Sequence, residues 1–184
     1  MKRLILASAS PRRSKLLKQA GYRFEVVPAH IDETKHGGED PIAFVSRLAL
    51  EKARAIHAQQ TSAIVLGADT TVVLDGEVLN KPADRAEAER MLRSLSGRTH
   101  QVHTGIAVVC SDTQSTHVET TNVVFREIAE VELSVYLASG DSLDKAGAYG
   151  IQGYAARWIP RIEGDYFNVM GLPVAATTRL LQGL

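Results

Sequence analysis

The chain has almost no cysteine: Cys110 is the single one among 184 residues, so no internal disulfide can staple the fold, which suits a reducing compartment. It also has no excess of either charge, with 21 Lys and Arg against 21 Asp and Glu. That removes the basic surplus by which duplex-binding proteins hold phosphate backbones, and no nucleic-acid partner is expected. Long apolar runs are missing as well. The run Leu4-Ile5-Leu6-Ala7 follows Met1-Lys2-Arg3, a start resembling that of a leader, but it is too short for a leader core or a membrane span. A cytoplasmic chain without a membrane partner is the expectation. Neither GxGxxG nor GxxxxGK[ST] occurs, so the two commonest nucleotide cradles are absent. No repeat, low-complexity tract or long linker breaks the sequence.

What remains is globular, with 45% hydrophobic and 23% charged residues. One domain over residues 1–184 is expected, large enough to divide into two lobes around a cleft. Leu4–Ala7 predicts a short buried strand, followed by a helix over 12–20 with Ser10 as N-cap and Pro11 in its first turn. The polar stretch 29–40 predicts a loop, and Asp40-Pro41 starts a helix whose apolar positions Phe44, Leu48, Ala49, Ala53 and Ile56 follow the helical period. A buried strand over 63–66 is expected to end in a turn at Gly67–Thr71. A hairpin follows, turning at Asp75-Gly76. Asp84 predicts a helix cap, with the helix ending near Leu95. Strand patterns cover 101–110 and 117–125, and Cys110 reads as a core thiol. Short helices are predicted over 131–138 and 173–181. Strands and helices mix with antiparallel hairpins, so the fold class is α/β with α+β character.

Five polar stretches stand at predicted strand ends and loops. Ser8, Ser10, Arg12 and Arg13 surround a helix start, where free N–H groups, hydroxyls and guanidinium forks suit phosphate. The same residues also read as an N-cap followed by solvated arginines. Asp69 in Gly67-Ala68-Asp69-Thr70-Thr71 is placed to ligate metal, to act as a base, or simply to bond turn amides. Lys81, stiffened by Pro82, and Lys52 on its helix read either as phosphate ligands or as surface lysines. Arg47 lies five positions before Lys52, not quite on one helix face. His100 and His103 point to opposite faces of a strand, which argues against a paired metal site. In Asp144–Gly153, three glycines allow close backbone approach, and Gln152 carries an amide able to read a base edge.

Taken together, "SASPRR" at 8–13, "RLALEKA" at 47–53, "GADTTV" at 67–72, "KP" at 81–82, "SGRTHQVHTG" at 96–105, "DKAGAYGIQG" at 144–153 and "GLP" at 171–173 resemble the Maf family of nucleoside triphosphate pyrophosphatases. The motifs occur in family order along essentially the whole chain. The resemblance implies a two-lobed fold with a central mixed sheet, flanking helices and a deep cleft, together with a frequent homodimer. It implies hydrolysis of a nucleoside triphosphate to monophosphate and pyrophosphate with a divalent metal, Mg²⁺ or Mn²⁺. The loop "DKAGAYGIQG" is similar to that of the branch acting on dTTP and UTP. By the same resemblance Asp69 is the catalytic carboxylate and, with Glu33, a metal-side residue. Arg12, Thr70 and Gln152 match base-selecting positions, and Ser8, Ser10, Arg13, Lys52 and Lys81 match phosphate-side positions. The rival readings are a purine-type triphosphate pyrophosphatase (inosine, xanthosine or 7-methyl-GTP) and a non-catalytic nucleotide-binding regulator of septum formation.

Overall fold

A computed structural model describes residues 3–111 and 113–184; the Met1-Lys2 start discussed above lies outside the described residues. Strand β1 (Leu4–Leu6) leads into helix α1 (Pro11–Gln19), and β2 (Glu25–Val26) leads through the 30–40 loop into α2 (Pro41–His57). Then follow β3 (Ile64–Leu74), β4 (Glu77–Leu79), α3 (Arg85–Leu95), β5 (Thr99–Cys110) and β6 (Thr113–Val124). The chain closes with α4 (Glu130–Ser139), two short 3₁₀ turns, β7 (Arg161–Glu163), α5 (Tyr166–Val169) and α6 (Val174–Gln182). The helix starts obey the capping chemistry of the sequence. Asp40 accepts from the amides of Ile42 and Ala43 with Pro41 at the first helical position, and Asp84 accepts from Glu87.

One mixed sheet in the order β2-β1-β3-β5-β6-β7 carries the fold, with β4 hairpinned onto β3. β1 runs parallel to β2 and β3, and the remaining pairs are antiparallel. Period-two alternation sorts the long strands between two faces. Val65, Ala107 and Val109 pack with Ala49, Ala53 and Ile56 of α2 on one face. Leu66, Ala68, Ile106 and Val108 pack with Leu16, Leu17, Leu172 and Ala176 on the other. Further along, Val72, Leu74 and Val102 join a third cluster with α3, α4, Tyr149 and Trp158.

Three expectations change. The stretch Gly67–Thr71 is not a turn but the middle of β3, a single strand from Ile64 to Leu74. Its small residue answers to helix packing: a Cβ on Gly67 would lie 2.1 Å from the Ala49 carbonyl oxygen of α2, and one on Gly105 would lie 2.3 Å from that of Val45. Strands β5 and β6 begin at Thr99 and Thr113, earlier than the apolar pattern suggested, because the long antiparallel ladder pairs polar and apolar residues alike. Cys110, read as a core thiol, ends β5 and is only half-buried. The Asp75-Gly76 turn forms as expected, both residues having positive φ.

Candidate active site

The feature that makes the site is an uncovered length of strand edge. β1 pairs with β3 as far as Leu66, with a last bond from the Ala7 amide to the Leu66 carbonyl. β4 takes over the same edge only from Val72. Between them, residues 67–71 have a strand partner among the described residues on the β5 side alone. A cavity of about 530 Å³ opens at this gap, and all ten site residues singled out from the sequence border it. Because successive strand residues face opposite ways, Asp69 approaches from the α2 side and Thr70 from the α1 side.

On the α2 side, Lys52 lies between two carboxylates. Its ammonium donates to Asp69 Oδ1 at 2.7 Å and meets Glu33 Oε1 at 2.8 Å. Asp69 is 8% exposed and Lys52 7%, whereas Glu33 projects from the 30–40 loop with more than half of its side chain exposed. Burial pushes the Asp69 carboxyl above the usual range, against the pull of Lys52 and Arg13. Lys52, expected on the phosphate side, is therefore first a partner of carboxylates.

On the α1 side, Arg13 spans three acceptors. It donates to the Gly171 carbonyl at 2.8 Å, to Ser8 Oγ at 3.0 Å and to Thr70 Oγ1 at 2.9 Å. Desolvation lowers its pKa, with the Asp69 charge acting in the opposite sense. Thr70 Oγ1 also lies 2.9 Å from Thr104 Oγ1, whose own proton goes to the Asn168 carbonyl at 3.0 Å. A carbonyl only accepts, so Thr70 is the donor of the threonine pair. With Arg13 donating to it too, the Thr70 oxygen keeps one lone pair and no proton for anything in the cavity.

Arg12 and Asp144, both lining the cavity, form an exposed ion pair at 3.5 Å. Ser8 Oγ accepts from the Ser10 amide at 3.3 Å, and Ser10 caps α1 through the Arg13 amide at 3.5 Å. Lys81 and Gln152 border the cavity exposed, and their side chains have no hydrogen-bond partner among the described residues. His100 and His103 stay outside it. His100 bonds the Tyr149 hydroxyl at 2.7 Å, and His103 bonds Thr120 at 2.8 Å. Among the described residues no group of three or more His, Cys, Asp or Glu side chains could hold a metal unaided. Sequence reading missed Asp144, Lys145 and Tyr149 as lining residues. The one signal for them was their place inside the glycine-rich stretch.

The fold and site together define an α/β protein whose cleft sets several cations and hydroxyls around one buried carboxylate. The chain belongs to the Maf family, whose sequence model, described as Maf-like protein, matches residues 3–184. A dTTP/UTP pyrophosphatase of Koribacter versatilis is 52% identical over 179 residues, 97% of this chain and 93% of the relative. Proteins of the same name from Symbiobacterium thermophilum and a Geobacillus species are 53% and 49% identical. The first alignment covers 98% of this chain and 93% of the relative, the second 100% and 99%. Among solved structures, a HAM1 protein from Coxiella burnetii superposes with a TM-score of 0.56 at 17% identity over the full length of both chains, a likeness of fold.

Proposed function

We propose that this protein hydrolyses dTTP and UTP to the monophosphate and pyrophosphate, by attack of water at the α-phosphorus. Full-length relatives near 50% identity carry that activity in their names. The observation that carries the reading is the buried Asp69 carboxylate, held by Lys52 in a cavity rimmed by Ser8, Arg12 and Lys81. A triphosphate brings roughly three to four negative charges, which need several cations and donors. Lys81 has no partner among the described residues and Arg12 is held only by one long, exposed pair with Asp144, so both can supply charge, and the Ser8 hydroxyl can donate. Asp69 Oδ2 has no partner among the described residues, so the carboxylate can take a proton from water, and its raised pKa makes it a stronger base. The exposed Gln152 amide and the acceptor-only Thr70 hydroxyl are suited to a pyrimidine edge that presents both acceptors and a donor.

The Asp69 and Glu33 carboxylates fit a divalent cation. They are hard oxygen donors that already share one positive charge, and Mg²⁺ is commonly held by one or two carboxylates with substrate phosphates and water completing the shell. When bound, such an ion supplies positive charge where the pyrophosphate departs. Residues 1–184 act in this reading as one unit with two lobes around the cleft, a homodimer being compatible with it.

The test is a panel of triphosphates with Mg²⁺ and with Mn²⁺, products resolved chromatographically. Monophosphate plus pyrophosphate from dTTP and UTP is expected. Diphosphate plus phosphate, or no turnover of either nucleotide, overturns the reading.

A further inference from the structure

We propose that Arg47 is a positioning residue for Glu33: it clasps the loop that carries the Glu33 carboxylate onto Lys52 beside Asp69. This rests on the hydrolytic reading above and extends it to a residue outside the cavity. Glu33 belongs to the irregular 30–40 loop, and its one side-chain ion pair among the described residues is the 2.8 Å contact with Lys52. An exposed glutamate on an irregular loop keeps its place only if the loop itself is fixed.

Arg47 fixes it. Its guanidinium grips Glu39 with two bonds, Nε to Oε1 at 2.7 Å and Nη2 to Oε2 at 2.8 Å. The same Nη2 donates to the carbonyl of Thr34 at 3.1 Å, one residue beyond Glu33. Nη1 reaches Glu51 at 3.2 Å, and the guanidinium lies 5.7 Å over the ring of Phe44, a cavity residue. The Arg47 side chain is 19% exposed and that of Glu39 10%, so the pair is largely shielded from solvent. Two bonds inside the loop complete the fixture: the Thr34 amide to Asp32 Oδ1 at 2.9 Å, and the His36 amide to Glu39 Oε2 at 3.1 Å.

Five residues apart on α2, Arg47 and Lys52 point in different directions, and that difference has a use. Helix α2 holds the loop at two places, Arg47 at Thr34 and Glu39 and Lys52 at Glu33, so the carboxylate is set before a nucleotide arrives. A lysine at position 47 could not reproduce the forked grip, because a single ammonium cannot span Glu39 and the Thr34 carbonyl in fixed geometry.

The test places Arg47→Ala, Arg47→Lys and Glu39→Gln in wild-type and Glu33→Gln backgrounds. Two readouts are taken: amide hydrogen exchange over residues 32–39, and the Mg²⁺ concentration giving half-maximal UTP hydrolysis. Expected are faster exchange in that segment and a Mg²⁺ requirement raised by at least about 10-fold in Arg47→Ala, a typical effect of losing a group that orients a metal-side ligand. Arg47→Lys should rescue less than half of it, and in the Glu33→Gln background the added effect should fall below about 2-fold. An equal penalty with and without Glu33, or exchange confined to α2, overturns the proposal. If Arg47→Ala does not fold, Glu39→Gln decides by the same criteria. Absence of UTP turnover by the wild-type protein would count against the assigned reaction, while the exchange result still decides the clasp.

Discussion

The side-chain oxygens of Thr70 and Thr104 lie 2.9 Å apart, and the proton between them belongs to Thr70. Thr104 gives its own to the Asn168 carbonyl, and Arg13 donates to Thr70 from the other side. Thr70 can then only accept from a base. Uracil and thymine offer an N–H at N3, whereas cytosine offers an acceptor there. Thr104→Val frees the Thr70 proton and lets the hydroxyl donate. The ratio of kcat/KM for UTP over CTP should fall by about 3- to 10-fold, the scale of one hydrogen bond in a discriminating site. An unchanged ratio in a folded variant would show that Thr70 does not read the base.

Adjacent arginines have opposite duties. The three bonds of Arg13 all go to protein acceptors, while Arg12 makes one long exposed pair with Asp144. Arg13→Ala should lose about 3 kcal/mol of stability by leaving buried partners unpaired. Arg12→Ala should stay within about 0.5 kcal/mol of wild type, as exposed pairs do, yet raise KM for UTP by about 10-fold. Urea unfolding and steady-state kinetics on both variants check the assignment, and the reverse pattern would exchange the two roles.

Asp69→Asn removes the proton acceptor and should lower kcat by at least about 10²-fold at unchanged fold. Because burial raises the Asp69 pKa, its carboxyl in the metal-free protein should titrate above the ordinary carboxylate range, as the ¹³C shift of the carboxyl carbon against pH would show. Lys52 pulls that pKa down, so Lys52→Gln should carry the midpoint to still higher pH. Movement to lower pH would mean that Lys52 does not act on Asp69.

Much of this was legible before any coordinates. Ser8, Ser10 and Pro11 follow an apolar strand and so announce a helix start, and Asp40-Pro41 does the same for α2. Caps and turns are local chemistry, and local chemistry reads directly from residue order. The small residues at 67–71 misled because glycine serves two purposes, a turn or a close crossing. Which one applies depends on α2, whose Ala49 and Ala53 crowd Gly67 from an earlier element of the chain. The partners of Arg13 and Lys52 were hidden for the same reason. Cations near a cleft suggest phosphate, but Gly171 lies 158 residues from Arg13, and no spacing rule links them. The gap between β1 and β4 belongs to register alone, which side-chain patterns do not encode.

Gln152 borders the cavity with both ends of its amide free of partners among the described residues. Gln152→Ala should lower kcat/KM for UTP and dTTP by about 10-fold while changing the inhibition constant of free pyrophosphate by less than about 2-fold. Comparable losses on both would make Gln152 a phosphate-side or structural residue instead.

His100 ties pH to stability. It is 2% exposed, donates to or accepts from the Tyr149 hydroxyl at 2.7 Å, and meets the rings of Phe125 and Tyr149 edge-on at 4.9 and 5.3 Å. Nδ1 has no partner among the described residues, so a proton added there would be buried without an acceptor. Burial accordingly lowers the pKa from the ordinary 6.5 to about 4. Between those values the unfolded chain binds more protons than the folded one, so stability rises with pH across the window and falls as the solution is acidified. The loss should approach about 3 kcal/mol by the lower end. Urea unfolding of wild type and His100→Gln at pH 7 and pH 4.5 isolates this contribution, because glutamine does not titrate. The wild type should lose about 2 to 3 kcal/mol more than the variant between the two conditions. Parallel losses would mean that His100 titrates as an ordinary exposed histidine and that the Tyr149–Phe125 enclosure opens to water.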